Sequence, residues 1–284
     1  MNNFMTALTI SEALDQARSQ LTGFDSARLD AEVLLCHVLG TDRSRLYAYP
    51  EVALRSGQQS AFEELIDQRQ TGYPVAYLTG KKEFWSIELT VNQDTLIPRP
   101  DTECLLESAL DRIPLNHPGR IADLGSGSGA IAIAIASERP RCRIVATDIN
   151  ESTLAIAREN AERLQLNQID FIQSNWFTNM EGRFDMIVSN PPYISENDPH
   201  LLSVDIKHEP ASALIAGPDG LDAIRVICQQ AKKFMNLQGW LLLEHGYDQA
   251  VSVHKLLQEN GFTGIFTRSD YAGHERVSGG QFKP

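Results

Sequence analysis

The sequence predicts an α/β protein: a doubly wound, mostly parallel sheet, preceded by a small helical bundle and a β-hairpin. Three observations carry this. After Pro118, short apolar runs alternate with helical patterns, as βαβ units require. A glycine-rich loop, Asp123 to Ala130, separates the first such run from its helix. The first seventy-odd residues carry helical periodicity alone. The expected division is a helical domain over 1–74, a hairpin linker over 75–95 and a catalytic domain over 96–284.

Thr9 and Glu12 form a capping box ahead of Leu14, Ala17 and Leu21, which share one face. Asp25 can cap a second helix through Leu29, Val33, Leu34 and Val38 that stops at Gly40. Asp42 and Pro50 bracket a third, and Ala61, Phe62, Leu65 and Ile66 mark a fourth that ends near Thr71-Gly72. This bundle reads equally as a stabilising cap and as a docking module. From Val75 to Val91 the pattern is strand-like, with a turn at Gly80-Lys81. A Pro-bracketed segment, Ile97 to Glu103, then leads into a helix through Leu105, Leu106 and Leu110, which Asp101 or Thr102 can cap. Strands follow at 121–124, 143–147, 171–173, 186–188, 240–244 and 262–267. The intervening helices are expected over 130–137, 151–164, 221–235 and 251–259.

The 284 residues carry a formal charge of −12, from 25 Lys and Arg against 37 Asp and Glu. That balance opposes broad binding to phosphate backbones. No apolar run approaches the roughly 20 residues of a membrane helix. Met1-Asn2-Asn3-Phe4 has no basic segment followed by an apolar core, which argues against a signal peptide. The four cysteines are scattered and the seven histidines do not pair at ligand spacing. No metal or disulfide framework is expected, and a reducing cytoplasm fits best.

The chemistry gathers at strand ends. Gly125, Ser126, Gly127, Ser128 and Gly129 follow the first strand, where glycines let backbone approach a ligand closely. The dinucleotide pattern is also met, so a nicotinamide enzyme stays open. Asp123, closing that strand, suits an ammonium group better than a pyrophosphate. Asp148 ends the next strand, where a carboxylate can accept both ribose hydroxyls of an adenosine, or cap the following helix. Trp176, after the third strand, can pack on an adenine or in the core.

Asn190-Pro191-Pro192-Tyr193 follows the fourth strand. Neither proline has an N–H, and each pushes its predecessor toward extended backbone. The Asn190 carboxamide oxygen and the Asn190 and Pro191 carbonyls then form a compact acceptor set, with Tyr193 as a flat face beside it. A planar NH2 group fits there. The bland alternative is a plain turn. In an open parallel sheet all four strand ends share one crevice.

These residues resemble the class I S-adenosylmethionine-dependent methyltransferases, specifically the release factor glutamine methyltransferases. The likeness spans nearly the whole chain. It includes Pro74 to Gly80, Glu83-Phe84-Trp85, Ile97-Pro98-Arg99-Pro100-Asp101-Thr102-Glu103, the glycine loop, Ser189 to Ile194, Asp198 to Leu201, Glu209-Pro210 and Leu242 to Gly246. The resemblance implies a Rossmann-like fold and S-adenosyl-L-methionine as cofactor, with S-adenosyl-L-homocysteine as product. Gly125 to Gly129, Asp148, Trp176 and Asn190 would contact it. Asn190, Pro191, Pro192 and Tyr193 would hold a glutamine, with Asn190, Pro191 and Tyr193 in catalytic roles. The implied substrate is the Gly-Gly-Gln glutamine of peptide-chain release factors, with no stable nucleic-acid partner and no membrane. Asn-Pro-Pro-Tyr alone is shared with nucleic-acid amino methyltransferases, the main alternative. A translation-factor binding module with a vestigial cofactor fold is a non-enzymatic one. Two positions depart from the family pattern: Asn175 stands where aspartate is common, and the Gly279-Gly280-Gln281 tail mimics the substrate tripeptide.

Overall fold

A computed structural model describes residues 7–203 and 206–283. The Met1-Asn2-Asn3-Phe4 segment, on which the signal-peptide expectation rests, lies outside them. The chain forms two compact units, one up to Gly80 together with Leu202–His208, the other of Lys81–Leu201 and Glu209 onward.

The first unit holds α1 (Ile10–Gln20), α2 (Ala27–Leu39), α3 (Arg43–Ala48), α4 (Ser56–Gln70) and α5 (Val75–Thr79). Both halves of the Thr9–Glu12 capping box form. Ser26, not Asp25, occupies the cap position of α2, and its side chain makes no capping bond. Gly40 closes α2 at φ +61° and Asp42 caps α3. Ile10, Ala17, Leu21, Leu34, Leu35, Phe62 and Ile66 form the core. Inside it, Arg69 Nε donates to Asp30 Oδ2 at 2.7 Å, and both residues are buried.

The strand-like reading of Val75 onward fails at α5. Pro74 stands at its N-cap and Gly80 ends it at φ +70°. These local stop signals override the β-branched residues of a five-residue segment. The hairpin follows as β1 (Lys81–Phe84) and β2 (Ile87–Thr90), with Lys81 paired to Thr90. Its turn is Trp85-Ser86, at φ +52° and +58°, not Gly80-Lys81. Two-residue hairpin turns favour positive φ at both centres. Here tertiary bonds hold a non-glycine pair there: Trp85 N–H donates to Glu103 Oε1 at 3.2 Å and Trp85 Nε1 to Glu138 Oε1 at 2.9 Å.

The second unit continues with α6 (Glu103–Leu110), β3 (Arg120–Leu124), α7 (Ala130–Glu138), β4 (Arg143–Asp148), α8 (Glu151–Arg163), β5 (Ile169–Gln173), β6 (Phe184–Ser189), α9 (Asp222–Ala231), β7 (Met235–Glu244), α10 (Ala250–Glu259), β8 (Thr263–Ser269) and β9 (Glu275–Gln281). The sheet order is β5-β4-β3-β6-β7-β9-β8. The β3–β4, β4–β5, β3–β6 and β6–β7 pairs are parallel, and β9 runs antiparallel to both its neighbours. Alternate residues serve opposite faces, as the period of two demands. Ile121, Ile144, Ala146, Met186 and Val188 pack with α6 and α7. Ala122, Leu124, Val145 and Ile187 pack with α9 and α10. α7, Ala-Ile-Ala-Ile-Ala-Ile-Ala, is buried all round. Strand order reverses beside β3, whose neighbours are β4 and β6, and a crevice opens at such a switch point.

Candidate active site

The crevice holds a cavity of about 220 Å³, lined among others by Gly125, Gly127, Asp148, Trp176, Asn190 and Pro192. Residues after four different strands thus meet at one place. The glycine loop folds over the end of β4: Gly125 and Ser126 N–H both donate to the Thr147 carbonyl at 2.8 Å. At Gly127, φ is +57° and a Cβ would point into open space, so the missing side chain leaves room for a ligand. Gly129 serves packing instead. It sits at φ +84°, and a Cβ there would press on Ile133 and Ala157 at 3.1 and 3.2 Å. Ser126 and Ser128 are buried and do not line the cavity. The Ser128 carbonyl accepts from Asn160 Nδ2 at 3.1 Å, and the same amide donates to Thr90 O at 3.0 Å. Fully buried Asn160 therefore ties the loop to the hairpin.

Asp148 faces the cavity with both oxygens already engaged: Oδ2 accepts from Gly127 N–H at 3.1 Å and Oδ1 from Asn150 N–H at 3.0 Å. A carboxylate offers about four lone-pair sites, so acceptor capacity remains. Burial raises its pKa, and the N–H groups of Asn150 and Gly127 oppose the shift. Trp176 is half-buried; it stands 3.6 Å from where a Gly125 Cβ would lie and also packs on the core. Asn175 is exposed and borders the cavity.

Asn190 Nδ2 donates to Thr102 Oγ1 at 3.1 Å. One of its two N–H groups is thereby engaged, and Asn190 itself lines the cavity. Pro192 lines the cavity, whereas Pro191 and Tyr193 do not. The Tyr193 hydroxyl donates inward to Glu244 Oε1 at 3.2 Å, and Gln249 Nε2 donates to the Tyr193 carbonyl at 2.9 Å. Asp101 caps nothing and pairs with Arg276 at 3.3 Å. Glu209, from the Glu209-Pro210 pair, accepts from Ile97 N–H at 3.0 Å and bonds Arg99. That clamp fixes the Pro-Arg-Pro segment from 112 residues away.

Two carboxyls beneath the site are fully buried. Burial pushes Asp123 up to about 7, against an opposing bond from Ala132 N–H at 3.1 Å. Its Oδ1 has no protein partner. Asp123 does not border the cavity, so its expected role beside a ligand ammonium has no direct contact behind it. Burial likewise pushes Glu244 up to about 7, with Thr102, Arg276 and Tyr193 opposing. A carboxyl whose folded pKa is raised adds stability below its unfolded value and loses it as pH climbs through the folded value. The window here runs from 4.5, the ordinary value, to about 7. Glu244→Gln does not titrate, so its melting temperature should rise relative to the parent as pH moves from about 4 to 8. A pH-independent difference would contradict the raised pKa.

Two family models match the chain: the PrmC N-terminal domain over residues 12–80 and the Methyltransferase small domain over residues 101–213. The chain is 48% identical over 281 residues to the release factor glutamine methyltransferase of Vibrio cholerae, covering 98% of each chain. It is 47% identical over 269 residues to that of Yersinia pestis, covering 95% of this chain and 97% of the other. The chain belongs to the release factor glutamine methyltransferase family. A solved methyltransferase from Pyrococcus furiosus, 18% identical at a TM-score of 0.53, covers 81% of this chain and 99% of its own. It shares the fold.

In this release factor glutamine methyltransferase the sequence reading overlooked several cavity residues: Asp94, Leu96, Ile149, Thr153, Ser212 and Ala213 among them. One had a signal. Ile149 is an apolar residue directly after the strand-end acid Asp148, and it is 54% exposed. Thr153 comes from α8, where its Oγ1 donates to Asp94 O at 2.7 Å, and the rest come from segments between the named helices and strands. Among the described residues no group of three or more His, Cys, Asp or Glu is arranged to hold a metal, and no helix is long and apolar enough to cross a membrane.

Proposed function

We propose that this enzyme methylates the side-chain amide nitrogen of the Gly-Gly-Gln glutamine in peptide-chain release factors, with S-adenosyl-L-methionine as donor in the crevice. The family relationship supplies the substrate class. The single structural observation that supports the chemistry is the Asn190 carboxamide, which lines the cavity while Thr102 holds its nitrogen.

The residues suit the donor. Asp148 retains lone pairs for ribose hydroxyls, Trp176 offers an aromatic face, and Gly125 and Gly127 leave backbone room. When bound, the donor supplies a methyl group on a positively charged sulfonium. Hydrogen bonds to a charged group are worth about 1.5–3 kcal/mol, so Asp148→Ala should weaken S-adenosylmethionine binding roughly 10–100-fold. Calorimetric titration checks this; an unchanged Kd would remove Asp148 from the site.

A glutamine amide nitrogen is a poor nucleophile because its lone pair is delocalised into the carbonyl. In this reading Asn190 Oδ1 and the Pro191 carbonyl accept its two hydrogens. They hold the nitrogen in line with the methyl group and favour the positive charge that grows on it. The bound donor would supply its methyl group to the nitrogen lone pair and keep the S–CH3 electron pair on sulfur, and the surplus N–H proton would pass to solvent when the methylated side chain leaves the pocket. Pro192, which lines the cavity, packs beside the amide plane, and Tyr193 anchors the turn from behind through Glu244.

Mass spectrometry of a purified release factor after reaction tests the assignment: one added methyl on the Gly-Gly-Gln glutamine is expected. Labelled methyl appearing in DNA or RNA, with none in the factor, would overturn it in favour of a nucleic-acid enzyme. That rival is not favoured: relatives over nearly the full length bear the release-factor name, and the charge of −12 repels phosphate backbones.

A further inference from the structure

Asn160 sits on α8, fully buried, and every hydrogen-bonding position of its carboxamide is used. Oδ1 accepts from Thr90 N–H at 2.7 Å and from Arg163 at 3.4 Å. Nδ2 donates to the carbonyls of Thr90 at 3.0 Å and Ser128 at 3.1 Å. The partners fix which end is which, because an N–H only donates and a carbonyl only accepts. Thr90 is therefore held at both its N–H and its C=O, as a neighbouring strand would hold it. The same NH2 grips the glycine loop at the residue after cavity-lining Gly127.

Both ends of this bridge lead to walls of the crevice. On one side the loop is pinned twice, by Asp148 at Gly127 N–H and by Asn160 at the Ser128 carbonyl. The glycines that flank Ser128 stand at φ +57° and +84°. They give the free loop a freedom that must be lost before a ligand fits. On the other side Thr90 leads into Asp94 and Leu96, which line the same cavity. Thr153, about two turns before Asn160 on the same helix, holds the Asp94 carbonyl at 2.7 Å. Asn160 itself does not line the cavity.

We propose that Asn160 is a positioning residue for the donor site. Its one carboxamide locks the glycine loop to the segment after the hairpin, so the crevice stands ready before the donor enters. It acts on the fraction of time for which the loop is competent to bind. A site competent for about a tenth of the time binds roughly tenfold more weakly. Aspartate in its place would turn an acceptor toward two carbonyls, and leucine would offer them nothing. The identity of the donor rests on the functional reading above; the pinning of the loop does not.

Two measurements on the full chain test this with Asn160→Leu, which keeps the size and removes the bonds. Arg163 still bonds the Glu88 carbonyl and Thr153 still bonds Asp94, so the hairpin stays on α8. The first measurement is amide hydrogen exchange by NMR without ligand. Gly127 N–H is the reporter, because the substitution leaves its own acceptor, Asp148, in place. It should exchange at least about tenfold faster in the variant. The second is calorimetric titration with S-adenosylmethionine, followed by kinetics with a release factor. Kd should rise about tenfold or more at unchanged stoichiometry. KM for the donor should rise in step, and kcat at saturating donor should stay within about threefold of the parent. A merely destabilised enzyme does the reverse: it loses active sites and keeps its Kd. Unchanged Gly127 exchange, an unchanged Kd, or a loss confined to stoichiometry or kcat therefore overturns the role. A parent that does not bind S-adenosylmethionine overturns the functional reading instead, and the exchange result still decides the pinning. Should Asn160→Leu fail to fold, Asn160→Asp, which keeps the acceptor for Thr90 N–H and loses the NH2, is judged by the same limits.

Discussion

Asn190→Ala should slow single-turnover methylation of the glutamine roughly 10²–10³-fold, by analogy with the loss of one oriented oxyanion-hole donor. The substitution removes the carboxamide of a cavity-lining residue, and with it the proposed Oδ1 acceptor. The Pro191 carbonyl remains, because it is backbone. One of the two proposed N–H acceptors therefore survives, and the reaction slows without stopping. Asn190 lies at the end of β6, beyond its last pairing with β7 at Ser189, so the strand does not depend on it. Circular dichroism and melting should match the parent. A rate within about threefold of the parent would contradict the role, since that gap is well under one tenfold step in the barrier.

Asp30→Ala should destabilise the first unit by about 3–5 kcal/mol, the usual cost of removing one partner from a buried ion pair. Arg69 is 5% exposed and Asp30 is 7%. The guanidinium donates to Asp30 at 2.7 Å, lies 3.9 Å over the Phe24 ring, and reaches the Tyr73 carbonyl at 3.4 Å. Without Asp30 it loses this charged partner in a place where water does not reach. For a unit of this size each kcal/mol shifts the melting temperature by about 4–8 °C. The first transition in calorimetry should therefore fall by more than about 10 °C. The Asp30→Ala, Arg69→Met pair should recover part of the loss, because it also removes the buried charge that Asp30 balanced. A drop below about 1 kcal/mol in Asp30→Ala would mean that the pair is solvated.

Much of the candidate site was legible because its parts are marked by local chemistry at strand ends. Glycines mark a close backbone approach, Asp148 an acceptor after an apolar run, and Asn190 with two prolines an abrupt stop. Trp176 reads as either ligand face or core, and it both borders the cavity and packs on the core. Other parts were misplaced or silent. Thr102 and Asp101 sit ahead of α6 and looked like caps, but the segment winds into a short 3₁₀ turn over Pro100–Thr102 and their side chains serve Asn190 and Arg276. Asn160 looked like one polar residue among many on a surface helix. Its burial follows from a bond to a hairpin 70 residues earlier. The final strand, β9, begins after a polar stretch at Ser269 to His274 and carries two glycines. It was implied only by the tail, with no pattern of its own. Gly279 and Gly280 fit there because Cβ atoms would strike Leu242 and Phe262 at 2.5 and 2.7 Å.

By itself the sequence determined the helical first unit, the alternating sheet, and the order in which ligand-facing residues follow successive strands. Those features rest on periodicity, caps and turns, which neighbouring residues fix among themselves. Only the tertiary structure decided that Glu209 clamps the Pro-Arg-Pro segment and that Thr102 holds the Asn190 carboxamide. Asn190 and Thr102 lie 88 residues apart in the chain, and only folding brings them within hydrogen-bond distance.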